Sequence, residues 1–191
     1  MISWIIFFIG CFISFSLSYI THLNSFSFMQ ITLIFTVELI IIILLNTICA
    51  ILIAKWLPDE IFNNKFKLFQ PGKKEMALYN KLNIKAWKDK TIEWGKLNGF
   101  SKSTIENPKD PEYIKNFILE CNKGFLVHFS SLFFAGFIFI FVPKSFVLPM
   151  ALPMFITSFI LNLLPITILR YNSHRLNTLL RFLERNKNKQ N

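Results

Sequence analysis

The chain has 191 residues, 53% of them hydrophobic, with 23 Phe and a mean hydropathy of +0.45. So apolar a composition excludes a disordered chain, and a soluble domain of this size rarely needs so many Phe. Only 17% of residues are charged, yet the formal net charge is +10, so charge is segregated between apolar stretches, as in an integral membrane protein. Cys11, Cys49 and Cys121 have no paired spacing, and two of them lie in apolar runs. A disulfide-rich secreted protein and a zinc module are thereby excluded.

A membrane-crossing helix needs about 20 apolar residues, and the segments 2–20, 31–54, 125–142 and 146–169 qualify. The first is softened by Ser14, Ser16 and Ser18. It has no Lys or Arg ahead of its apolar run and no clear small-x-small cleavage site, so it reads as a retained span rather than a signal peptide. Between the second and third spans, segment 55–124 holds 14 of the 21 basic residues, all Lys, against nine acids. The tail from Arg170 holds six more basic residues and one acid, Glu184. The connection 21–30 has no Lys or Arg, and the turn after Val142 has only Lys144.

Basic residues accumulate on the cytoplasmic side of a membrane. The expectation is an all-α, polytopic protein of the cell membrane, with four transmembrane helices and a cytoplasmic interfacial segment between helices 2 and 3. Both termini are then cytoplasmic. Its expected divisions are an N-terminal hairpin (1–54), the interfacial segment (55–124), a C-terminal hairpin (125–169) and a basic amphipathic tail (170–191).

The interfacial segment interleaves lysines with Trp56, Phe62, Phe66, Phe69, Tyr79, Trp87, Trp94 and Phe100. Beside membrane spans, this mixture points to lipid headgroups rather than nucleic acid, because Trp and Tyr favour the headgroup region and Lys favours anionic lipids. Residues 111–127 read as a helix leading into the third span, with Pro111 and Glu112 near its start. Residues 59–62, after Pro58, begin another along the surface. Oligomeric state is left open.

Polar groups at membrane depth are costly and carry the candidate chemistry. His128 opens the third span, where a neutral imidazole either takes a proton from a hydroxyl nucleophile or simply rests at headgroup depth. Glu120 lies eight residues earlier, about 80° round the helix and about 12 Å along it. It can line the same cavity but cannot hydrogen-bond His128 directly along a straight helix. At the end of the fourth span stand Asn162, Pro165, Arg170, Tyr171, Asn172 and Arg175. The two guanidiniums suit a phosphate, carboxylate or phosphopantetheine, although orientation alone also places basic residues there. Asn162, deeper in the span, needs a hydrogen-bond partner. Leu176, Leu179, Leu180 and Leu183 with Arg181 and Arg185 form a basic amphipathic helix that reads as an anchor. Glu38, inside the second span, reads as a structural partner.

No His-x-x-x-x-Asp box, Gly-x-Ser-x-Gly elbow, Walker loop, His-Glu-x-x-His or Gly-x-Gly-x-x-Gly is present. What the chain does carry, in order, is Lys55 to Phe62 (KWLPDEIF), Trp87-Lys88-Asp89-Lys90, Glu93 with Gly95, and Gly99-Phe100-Ser101-Lys102. Glu120 and His128 follow eight apart, then Asn162 with Pro165, and Arg170-Tyr171-Asn172-Ser173-His174-Arg175-Leu176. This succession resembles the glycosyl-4,4'-diaponeurosporenoate acyltransferase family of membrane proteins in staphyloxanthin-type carotenoid biosynthesis, over about residues 55–185. The chain departs from the family's usual pattern at Ile92, where Pro is common, at Phe125, where a second acid is common, and at Ser173-His174, where Arg-Pro is usual.

The resemblance implies transfer of a fatty acyl group to a sugar hydroxyl of a glycosylated terpenoid or related glycolipid. It implies His128 as base and Glu120 as its orienter, with Asn162, Arg170, Tyr171, Asn172, Arg175, Trp87 and Lys88 binding substrate. The partners it implies are an acyl donor (acyl-CoA or acyl carrier protein), a glycosylated lipid acceptor and membrane lipids, with no cofactor or metal. Other membrane acyltransferases pair a buried His with an Asn, an analogy for His128 and Asn162. The alternatives are a non-catalytic scaffold or lipid-binding protein, and a small membrane methyltransferase or reductase. The last would need a nucleotide-cofactor site, for which the sequence has no strong motif.

Overall fold

The computed structural model describes residues 2–62, 66–91 and 107–190. Of the residues named above, Ile92, Glu93, Trp94, Gly95, Gly99, Phe100, Ser101 and Lys102 lie outside the described residues. Among the described residues every regular element is helical. Four stretches, Ile2–His22, Phe28–Trp56, Pro111–Phe141 and Lys144–Lys189, are long and apolar enough to cross a membrane.

Helix α1 covers Ile2–His22 and α2 covers Phe28–Ile51. α2 starts three residues before the apolar run does, because Ser27 and Gln30 form a capping box. The Ser27 hydroxyl accepts from the Gln30 N–H at 3.3 Å, and Gln30 Oε1 accepts from the Ser27 N–H at 2.8 Å. A widened turn, Leu52–Trp56, carries the stretch on to Pro58. After the short helices α3 (Lys73–Lys81) and α4 (Ile84–Trp87), α5 runs Pro111–Phe134. It tightens through Ala135–Phe137 into α6, Ile138–Phe141. Val142 is extended (φ −93°, ψ 138°), as a residue before proline must be, and Pro143 ends the stretch. The last helix, α7, covers Leu152–Gln190. The fourth span and the amphipathic tail are therefore one helix, since neither Gly nor Pro follows Pro165 to break it.

The chain divides into two compact units: Met1–Ala54 with Val127–Leu164, and Lys55–Leu126 with Pro165–Asn191. In the first, the helices pack through small residues. A Cβ at Gly10 would lie 2.0 Å from Thr157 Oγ1 and 2.8 Å from Thr157 Cβ, so only glycine lets α1 approach α7 this closely. Ser14 Oγ donates to the Met150 carbonyl at 2.9 Å, and the His22 ring stacks on Phe146 with centroids 4.0 Å apart. Ile31, Ile42, Ile138, Phe146 and Met150 fill the core, while Phe12, Ile20 and Ile140 lie more than two-thirds exposed, as lipid-facing side chains would.

The second unit gathers α3 and α4 with the C-terminal part of α7. Tyr79, Ile84 and Tyr171 form its aromatic cluster, with Met76, Trp87 and Ile168 packed against it. Asn83 joins α3 to α4 in the left-handed conformation (φ 49°), which Asn tolerates better than most residues. Asn122 is buried, and its Nδ2 donates to the Phe62 carbonyl at 2.8 Å while its Oδ1 accepts from Ser173 Oγ at 3.2 Å. One amide thus pins segment 59–62, α5 and α7 within this unit.

Candidate active site

In the first unit two asparagine amides form a chain that ends on His128. Asn46 Nδ2 donates to the Ile42 carbonyl at 2.8 Å, which leaves its Oδ1 to accept from Asn162 Nδ2 at 3.4 Å. Asn162 Nδ2 also donates to the Ser158 carbonyl at 2.9 Å. A carbonyl only accepts, so this contact fixes which end of the Asn162 amide is nitrogen. Its Oδ1 consequently faces His128 Nδ1 at 3.0 Å. An amide oxygen cannot donate, so the proton of this bond sits on His128 Nδ1, and in the neutral ring Nε2 is the basic nitrogen. The sequence alone marks His128 and Asn162 as polar groups near membrane depth; the structure links them to each other and to Asn46 and Ser158.

The second unit is organised by ions. Arg170 is mostly buried, and all three of its guanidinium nitrogens have partners. Its Nε and Nη2 grip the two oxygens of Glu75, the latter at 2.8 Å, and its Nη1 donates to the Leu68 carbonyl. Its face lies over the Phe125 ring, 4.8 Å from the centroid. Tyr79 Oη donates to Glu75 Oε1 at 2.5 Å. Burial works against the Glu75 carboxylate, yet the hydrogen bonds from Arg170 and Tyr79 and the Arg170 charge hold it below the usual carboxylate range. Burial, together with the bond to Glu75, pushes the Tyr79 phenol well above its ordinary value.

The other residues chosen from the sequence fall as follows. Glu120 pairs with Lys123 at 3.2 Å, and Lys123 also holds Asp59 at 2.8 Å. Tyr171 is buried in the aromatic cluster with Arg175 over its ring at 5.7 Å, and Arg175 is itself exposed. Trp87 packs on the same cluster and donates from Nε1 to the Leu82 carbonyl at 3.0 Å. Lys88 lies 3.7 Å from Asp89, and Asn172 is half-buried on α7. Glu38 is buried, and neither carboxylate oxygen has a partner among the described residues. Asn46 and Ser158 belong to the histidine network and were not singled out from the sequence. Their signal was a lone amide in an apolar run and a Ser four residues before Asn162.

Two of the departures from the family pattern have a physical setting in the second unit. Phe125 supplies the ring beneath Arg170, whose charge is answered by Glu75 on α3. Ser173 is buried against Asn122, a place too enclosed for an arginine side chain.

Helices fit to cross a membrane, with an imidazole hydrogen-bonded among neutral amides, define a helical membrane protein. The chain matches the glycosyl-4,4'-diaponeurosporenoate acyltransferase family over residues 58–182 and belongs to it. It is an acyltransferase, acting between an acyl donor and a glycosylated lipid acceptor. No curated protein and no solved structure matches the chain.

Proposed function

We propose that this enzyme moves a fatty acyl group from a thioester donor, acyl-CoA or acyl carrier protein, to a sugar hydroxyl of a glycosylated terpenoid held in the cell membrane. The observation that carries the reading is the His128–Asn162 hydrogen bond, which gives Nε2 the lone pair that an acceptor hydroxyl needs. In the reaction the hydroxyl proton passes to Nε2 as the oxygen attacks the thioester carbonyl carbon. The carbon–sulfur bond then breaks, and the imidazolium returns the proton to the departing thiolate. Asn162 is the positioning residue, held in turn by Asn46 and Ser158. With its carboxylate held by Lys123, Glu120 serves the reaction indirectly at most, through the surface at the start of the span.

The aromatic cluster around Trp87 and Tyr171, with Lys88, Asn172 and Arg175 near it in sequence, is the proposed place for the polar ends of the substrates. Segregation of basic residues supports a four-span protein with both termini and segment 55–124 in the cytoplasm. Lipid mass spectrometry of cells with and without the gene tests the reading. A glycolipid heavier by one fatty acyl group should be present with the gene, vanish without it and return on complementation. An unchanged lipid profile refutes the proposal in favour of a scaffold.

A further inference from the structure

Because Arg170 is committed to Glu75 and the Leu68 carbonyl, an anion reaching the second unit must be met by other groups. His174, Asn177 and Arg181 stand three and four residues apart on α7, within about 60° of one another round the helix. Together with Gln70 and Pro71, which precede α3, they line a cavity of about 300 Å³. Arg181 Nε donates to the Asn177 carbonyl at 3.3 Å, and neither terminal nitrogen of its guanidinium has a partner among the described residues. None of the five lining residues is acidic. The carboxylates nearest them in sequence are occupied: Glu75 by Arg170, and Glu184 by Lys115 at 3.9 Å.

We propose that this cavity binds the phosphate of a phosphate-bearing ligand, with the Arg181 fork as its main donor and His174 and Gln70 beside it. A guanidinium with two terminal nitrogens to offer matches two oxygens of a phosphate, and a phosphate with its first linking atoms is small enough for the volume. The proposal rests on the acyl-transfer reading for what that phosphate belongs to. A soluble thioester donor carries one in its phosphopantetheine arm, and an anionic lipid carries one in its headgroup. It also reassigns Arg181, which the amphipathic pattern alone makes an anchor.

The test uses the full chain in phosphatidylcholine nanodiscs, with and without phosphatidylglycerol. Coenzyme A is titrated as the soluble probe, and phosphatidylglycerol retained on the protein is counted by native mass spectrometry. Arg181→Gln should weaken one of these at least about tenfold, while Arg185→Gln, one turn further along and away from the cavity, changes neither. Loss of coenzyme A binding assigns the phosphate to a soluble donor, and loss of lipid assigns it to a headgroup. Helix content by circular dichroism should be the same in both variants. If neither probe binds, or if the two variants behave alike, the cavity is only part of a diffuse cationic surface and the proposal fails. The two readings fail separately. Arg181-dependent binding without an acylated glycolipid in cells refutes acyl transfer and keeps the phosphate site. An acylated product with Arg181-independent binding does the reverse.

Discussion

The first unit fixes His128 with uncharged amides, whereas the second fixes Arg170 with an ion pair. Among the described residues every ion pair belongs to the second unit. The difference follows from what each surrounding tolerates. A charge among apolar helices costs several kcal/mol, whereas an amide loses less and can recover most of it through its own donor and acceptor. An amide also has two chemically different ends. A chain of them, anchored on the Ile42 and Ser158 carbonyls, transmits direction and so selects a tautomer. An ion pair transmits little direction but holds strongly, and Arg170 with Glu75 ties α7 to α3.

The sharpest way to break this comparison is to remove the end of the amide chain. Loss of a general base costs roughly 10²–10⁴-fold in rate, so His128→Ala should lower acyl transfer by that much without changing membrane insertion or abundance. Asn162→Leu should cost more than about tenfold, some 1.4 kcal/mol, because the ring loses the acceptor that holds its proton on Nδ1. Turnover assays on reconstituted protein decide the matter. Near-normal rates in His128→Ala would make the imidazole a packing group.

The ionic unit forecasts a different failure. Arg170→Lys keeps the charge but cannot span both Glu75 oxygens, reach the Leu68 carbonyl and lie flat on Phe125. It should lose about 1–3 kcal/mol of stability, a buried-pair loss discounted for the partial exposure of Glu75. Turnover per folded molecule should hold. Arg175→Lys, at an exposed position, should stay within about 0.5 kcal/mol of wild type. Thermal unfolding and turnover measured together separate the two roles. A tenfold fall in turnover with unchanged stability would return Arg170 to a substrate-gripping role.

The spans were legible in the sequence because an apolar run of about 20 residues leaves few alternatives. Segregated lysines marked 55–124 as a different environment from the segments around it. Residue types at the site were legible too: His128 and Asn162 stand out as polar groups at depth. Their partnership was not, because they are 34 positions apart on different helices and no local period connects them. The role of Asn46 is illegible for the same reason, its partner being 116 positions away. Arg170 is a different case. A guanidinium at the end of a span looks available for an anion, and only the position of Glu75, 95 residues earlier, shows that an internal carboxylate already holds it.

The smallest expected effect is a pH dependence confined to the ionic unit. Glu75 is held below the ordinary carboxylate range when folded, so between that lowered value and the ordinary one the unfolded chain binds more protons than the folded one. Stability from this group is therefore fully present above the ordinary carboxylate pKa and is lost as pH falls through the lowered one. Trp87 packs on the Tyr79–Tyr171 cluster, so its fluorescence reports this unit once Trp4, Trp56 and Trp94 are replaced by Phe. The unfolding midpoint seen by Trp87 should drop on acidification, and Glu75→Gln should flatten that part of the slope while lowering the midpoint at neutral pH. Glu112→Gln, in an exposed pair with Lys115, corrects for the general effect of removing a carboxylate. If Glu75→Gln and Glu112→Gln keep the same acid slope, then the Arg170–Glu75 bond is no stronger in the folded chain than an ordinary surface pair. The contrast between His128 held by amides and Arg170 held by an ion pair would then fail on its ionic side.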